Sequence, residues 1–197
     1  MKVMVANTWP GIPGATAVAD AWQQVVQRPW GRLRVDPNPS EAQLKALWQQ
    51  ISEWAGEKDP LLVLPGSVAD PLGPGQTWAD LAHAWGLSLL LTLQRETALS
   101  QAAAFAALLR QARARGLGWV LVGSLPETGD PQALAELDAA LIPRLAAQVG
   151  MPVLGRMAPD GQILWDTDAL SLCDAGKTIF NLAGADPARS GSQTRWK

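Results

Sequence analysis

The chain has 197 residues, 48% of them hydrophobic and 17% charged, which favours one compact domain with a sizeable buried core. Its 16 basic and 18 acidic residues give a net charge of -2, so the basic surface typical of nucleic-acid-binding proteins is not expected. Cys173 is the only cysteine of the sequence and His83 is the only histidine, which excludes an internal disulfide framework and Cys-rich or His-rich metal centres.

The apolar runs of the chain are short. The longest, residues 87–93, has the length of a buried strand and not of a membrane span. Residues 1–6 lead directly into a Pro/Gly loop, without the long apolar core of a secretory signal peptide. We therefore expect a cytoplasmic protein with no membrane span and no nucleic-acid partner.

In chain order, short apolar runs alternate with longer stretches of helical periodicity, which predicts βαβ units around a parallel sheet. The predicted strands are residues 3–6, 33–35, 61–64, 87–92, 119–122, 153–154 and 162–165. The predicted helices are residues 15–27, 40–54, 77–85, 97–115 and 131–149. The predicted fold class is α/β, with a doubly wound, mostly parallel sheet flanked by helices. One domain is expected over residues 1–183, followed by a flexible Gly/Ser/Arg-rich tail over 184–197.

Two helix ends carry specific signals. Ser40 and Gln43 have the spacing of a capping box at the start of the second helix. Arg113 and Arg115 are expected in the last turn of the fourth helix, where cations favour the helix dipole. The glycines of Gly116-Leu-Gly118 are expected to supply its left-handed cap.

The loop after the first predicted strand is the candidate site, because ligands of doubly wound sheets bind at the carboxyl ends of strands. It resembles a phosphate-binding P-loop, with Thr8 at the first glycine position, Gly11 inside the loop and Gly14-Ala15-Thr16 at the Gly-Lys-Thr position. A working P-loop uses its Lys to neutralise phosphate and a hydroxyl to hold Mg²⁺. Ala15 cannot neutralise phosphate. Thr16 could bind a metal, although we interpret it as a helix cap, and the remaining amides could bind an anion weakly.

Four further segments follow in a characteristic order: Leu61-Leu-Val-Leu-Pro-Gly66, Thr77-Trp-Ala-Asp-Leu-Ala82, Leu89-Leu-Leu-Thr-Leu-Gln-Arg-Glu-Thr-Ala98 and Pro152-Val-Leu-Gly155. Together with the loop, they resemble dethiobiotin synthetase over residues 1–157. The corresponding motifs of that family read Val-Glu-Gly, Thr-x-Ala-Asp-Leu, Val-Lys-Leu-Gly-Ala and Pro-Val-Leu-Gly. The family has a P-loop fold and closes a ureido ring from diaminopelargonate, CO₂ and ATP with Mg²⁺.

The resemblance implies a nucleotide site that has lost reactive groups. The P-loop Lys falls on Ala15, and the carboxylate of Val-Glu-Gly falls on Pro65. Two lysines of the family fall near Arg34 and on Arg95, and the Asn that reads adenine is replaced around Val122-Gly123-Ser124. Loss of the P-loop cation and the carboxylate removes groups that phosphoryl transfer requires.

Three hypotheses follow. The leading one is a degenerate family member that acts as a non-catalytic or weakly active binding or regulatory module. The resemblance also implies a homodimer. The alternative is an active ATP-dependent synthetase in biotin biosynthesis, which would use ATP and magnesium with Arg34 and Arg95 in place of the lost lysines. The third is a pocket for a different small anion or cofactor, and an unknown protein partner also remains open.

Overall fold

The computed structural model describes residues 1–8, 14–54, 56–123 and 131–174. The helices are α1 (Ala15–Val25), α2 (Glu41–Glu53), α3 (Trp78–Trp85), α4 (Ala98–Ala112), α5 (Pro131–Val149) and α6 (Thr167–Asp174). The strands are β1 (Val3–Asn7), β2 (Trp30–Arg34), β3 (Asp59–Ser67), β4 (Pro71–Gly73), β5 (Gln76–Thr77), β6 (Ser88–Gln94), β7 (Arg115–Val122), β8 (Val153–Met157) and β9 (Ile163–Trp165). A 3-10 turn, Arg95–Thr97, joins β6 to α4. The predicted tail at 184–197 lies outside the described residues.

Seven strands form one sheet in the order β2-β3-β1-β6-β7-β8-β9. Neighbouring strands from β2 to β8 pair in parallel, and β9 pairs antiparallel with β8. Strands β4 and β5 form a separate antiparallel pair. These pairings confirm the predicted α/β class with a mostly parallel sheet flanked by helices.

The sheet is buried on both faces. Met4 and Ala6 of β1 belong to a core cluster shared with α2, α3, α4 and α5. Val3 and Val5, which point to the opposite face, belong to a second cluster that includes residues of α1 and α6. Burial on both faces explains why the central strands read as continuous apolar runs.

The first turns of α2 and α3 are closed by capping boxes. Gln43 N donates to Ser40 Oγ at 3.3 Å, and Ser40 N donates to Gln43 Oε1 at 2.7 Å, which confirms the box predicted for α2. A second box begins α3, where Thr77 N donates to Asp80 Oδ2 at 2.8 Å. Asp80 therefore stabilises the start of its own helix.

The end of α4 was predicted wrongly. The helix stops at Ala112, and Arg113 itself adopts the left-handed conformation with φ of 55°. Arg115, expected in the last helical turn, begins β7. The left-handed residue at this helix end is therefore an arginine and not a glycine.

The two glycines expected to cap α4 lie inside β7. A Cβ on Gly116 would lie 2.5 Å from Sδ of Met151, and one on Gly118 would lie 2.5 Å from Cγ of Leu154. Both contacts are too short for a side chain to be accommodated without movement of the neighbour. These glycines are therefore needed for close packing beside β8 and not for a turn.

Of the helices in the described ranges, none combines the length and the apolar character that crossing a membrane requires.

Candidate functional site

The predicted loop connects the carboxyl end of β1 to α1, and the structure describes both of its ends. Thr8 lies before residues 9–13, and Gly14 lies after them. Gly11 is outside the described residues. The hydrogen bonds and packing of these two ends therefore show which groups could face a ligand.

Asn7, the last residue of β1, closes the base of the loop. Its side chain is buried, and Oδ1 accepts hydrogen bonds from Ala15 N at 3.0 Å and from Thr92 Oγ1 at 2.9 Å. Its Nδ2 donates to the carbonyl oxygen of Pro65 at 2.9 Å. One amide side chain thus joins β1 to α1, β6 and β3.

Sequence reasoning missed Asn7. The available signal was a polar amide in the position immediately after the apolar residues of the first strand. Such a group must find partners when it is buried, and here each end of the amide has them.

Thr8 is held from two sides. Its Oγ1 donates to Oε1 of Gln101 on α4 at 2.8 Å, and its carbonyl oxygen accepts from Oγ of Ser67 at 3.1 Å. Only 1% of Thr8 is exposed. The residue predicted at the first glycine position therefore presents its hydroxyl to the protein interior.

Gly14 and Ala15 pack closely against the sheet. A Cβ on Gly14 would lie 3.2 Å from Cγ2 of Thr92, tighter than ordinary van der Waals contact. Ala15 is buried, and its N–H is already bonded to Asn7. At the position that the predicted P-loop pattern assigns to a lysine, this chain has a methyl group and an amide donor that is bonded within the protein.

Thr16 does not cap α1, so that interpretation was wrong. The N-cap residue is Gly14, and the helix has no side-chain capping bond. Thr16 is exposed one residue inside the helix. Among the residues that the structure describes, no group of three or more His, Cys, Asp or Glu side chains could hold a metal ion.

Arg95 is buried among protein acceptors. Its Nε donates to Oδ1 of Asp138 at 2.8 Å, and its Nη2 donates to Oδ2 of Asp138 at 3.1 Å. Nη2 also donates to the carbonyl oxygen of Met157 at 2.7 Å, while Nη1 lies 3.4 Å from that of Gly123. The guanidinium therefore bonds to groups at the carboxyl ends of β7 and β8 and to a carboxylate on α5.

Arg34 has a different environment. It is exposed at the carboxyl end of β2, which is an edge strand of the sheet. Strands β3 and β1 lie between it and β6, the strand after which Arg95 follows. The fold therefore separates the two candidate cations, with Arg34 in solvent at the end of an edge strand and Arg95 in the interior, in the turn after β6.

Pro65 is the residue onto which the resemblance would map a carboxylate, and its carbonyl oxygen is the acceptor for Asn7. A carboxylate follows in the turn after β3, where Asp70 Oδ2 accepts from Ser67 N at 2.7 Å. A Cβ on Gly66 would lie 2.6 Å from Oδ2 of Asp70, so this carboxylate folds back over the glycine. Its bonded oxygen closes the turn after β3.

No family model matches the chain, and a search of curated proteins finds none that matches it.

Proposed function

We propose that this chain is a dethiobiotin-synthetase-like protein with a degenerate nucleotide site, which acts as a non-catalytic or weakly active binding or regulatory homodimer. The observation that carries the proposal is the environment of Ala15. The P-loop lysine position is a buried methyl group, and its amide is bonded to Asn7. A phosphate at this point would meet neither a cation nor that N–H donor.

Two other features support loss of phosphoryl transfer. Pro65 has no side-chain oxygen with which to hold a metal, and its carbonyl oxygen is bonded to Asn7. The donors of Arg95 are occupied by Asp138 and Met157. Stabilising a transferring phosphoryl group depends on positive charges aimed at its oxygens, and these positions do not supply them.

Calorimetric titration of the purified protein with ATP and Mg²⁺ tests the proposal directly. We expect no saturable binding at millimolar ATP. Micromolar binding with ATP turnover would overturn the proposal and favour the alternative, an active synthetase. Complementation of a strain lacking dethiobiotin synthetase separates the two further, because an active enzyme would restore growth and would lose that ability on Arg34→Ala.

A restoration variant tests whether the loop is a degenerate phosphate site at all. In Ala15→Lys/Pro65→Glu, the cation and the carboxylate return to the positions that the resemblance assigns them. If the backbone still has the geometry of a phosphate site, saturable binding should appear at millimolar ATP or below, where none is expected for wild type. A folded double variant with no gain, checked by circular dichroism and an unfolding curve, would contradict the assignment of the loop.

The proposed homodimer is tested separately by sedimentation equilibrium of the full chain. A species of twice the monomer mass at micromolar concentration is expected. A monomer at every concentration would contradict the proposed homodimer but would not bear on the proposal for the nucleotide site.

A further inference from the structure

A cleft of about 680 Å³ lies between α1 and the β8–β9 hairpin, and none of the loop residues discussed above lines it. This volume is within the range of small-molecule sites. Its wall on α1 is formed mainly by Ala17, Asp20, Ala21 and Gln24. These positions follow the i, i+3, i+4, i+7 spacing of one helix face. The two alanines leave room for a ligand between the longer polar side chains.

The opposite wall is formed by β9 and the turn before it. Ile163 and Trp165 supply apolar surface, and Gln162 supplies an amide. Trp165 is fixed in place, because its ring packs edge-to-face against Trp22 at 5.6 Å and lies over Gly155, where a Cβ would approach the ring to 2.9 Å. The indole is therefore a rigid, partly exposed surface of the cleft.

The charge of the cleft has one sign. Among the described residues that line it, Asp20 carries the only formal charge, and the two glutamines add amide oxygens as acceptors. Asp20 Oδ1 accepts from Arg32 of β2, whose guanidinium is not part of the lining. The Arg32 and Asp20 side chains are 32% and 50% exposed, so the pair is worth little and a ligand can compete for the carboxylate.

From this combination we infer that the cleft binds an amphipathic organic cation: a primary amine that carries an apolar group. A carboxylate and an indole in one cleft are the two groups that recognise an ammonium ion, through a charge-assisted hydrogen bond and a cation–π contact. The apolar part of the ligand would lie against Ala21 and Ile163. The inference goes beyond the proposed function and does not depend on it, because none of the lining residues belongs to the loop.

Phenethylamine and phenylacetate are the matched probes, since they share a ring and differ in the sign of their charge. Calorimetry on the full-length protein should detect saturable binding of phenethylamine and none of phenylacetate. Asp20→Asn should weaken amine binding by up to about fivefold, the loss expected for an exposed charge pair. Arg32→Gln should strengthen it, because it removes the internal competitor for Asp20. Ala21→Leu should also weaken amine binding, because the larger side chain occupies the space between Asp20 and Gln24 where the ligand would lie.

Asp36→Asn is the control, because Asp36 is an exposed carboxylate outside this lining and its loss should leave amine binding unchanged. Equal binding of phenethylamine and phenylacetate would overturn the inference. So would amine binding whose affinity is the same in wild type, Asp20→Asn and Ala21→Leu. The inference would also be overturned if wild type did not bind phenethylamine at concentrations up to about 10 mM, because its dissociation constant would then be weaker than millimolar. Neither the presence nor the absence of ATP affinity bears on these outcomes.

Discussion

Arg95 and Asp138 form a buried ion pair held by two hydrogen bonds, although they are 43 residues apart in the chain. Each side chain is only 1% exposed. Arg95 follows β6, and Asp138 lies on α5, so the pair fastens the last long helix to the carboxyl edge of the sheet. The residue that resembles a catalytic cation in sequence thus has a structural partner in the fold.

Replacing Arg95 alone should be strongly destabilising. Arg95→Met would leave Asp138 charged and unpaired in the interior, which costs about 3–5 kcal/mol. The double variant Arg95→Met/Asp138→Leu should recover most of this loss, because no buried charge remains. Urea unfolding of the three proteins measures both effects. Equal stability of wild type and Arg95→Met would mean that the pair does not form in solution.

Asn7→Ala should also lower the free energy of unfolding. It removes the partner of two buried groups, the N–H of Ala15 and the hydroxyl of Thr92, and of the partly buried carbonyl oxygen of Pro65. Unpaired buried groups cost about 1–3 kcal/mol each, so we expect a total loss of about 2 kcal/mol or more. Asn38→Ala, at an exposed position, should change stability by less than about 0.5 kcal/mol. A similar small effect at both positions would contradict the role assigned to Asn7.

The first turns of α1 and α2 allow the stability contribution of a capping residue to be compared with that of an exposed residue that caps nothing. Ser40→Ala breaks the capping box of α2 and should cost about 1 kcal/mol. Thr16→Ala should be within about 0.5 kcal/mol of wild type, because Thr16 is exposed and is not the N-cap of α1. Chemical denaturation of the two variants checks the order. A larger loss for Thr16→Ala would restore its interpretation as a cap.

Gly118→Ala should destabilise the protein through packing and not through backbone strain. The added Cβ would approach both the side chain of Leu154 and, at 2.9 Å, the carbonyl oxygen of Pro152, and overpacking of this kind costs about 1–3 kcal/mol. Gly73→Ala is the matched control, since nothing lies within 4 Å of the corresponding Cβ. Its melting temperature should remain close to that of wild type. Equal effects at the two glycines would refute the close approach of β7 and β8.

The sequence by itself determined the fold class and most of the elements. Apolar runs such as Leu61–Leu64, flanked by stretches of helical periodicity, predict buried parallel strands because the pattern of apolar residues is a local property of the chain. The capping box of Ser40 and Gln43 was also predictable, because its two partners are three residues apart and need no tertiary contact.

Tertiary structure alone decided the environment of the candidate site. The partners of Asn7 come from β3, α1 and β6, and those of Arg95 come from α5 and β8, so no local pattern specifies them. The same holds for Gly116 and Gly118, which have the sequence signature of a helix cap but lie inside a strand. The sequence shows the periodicity of single elements. The hydrogen-bond partners of a buried polar group, in contrast, depend on which elements the sheet order brings beside it.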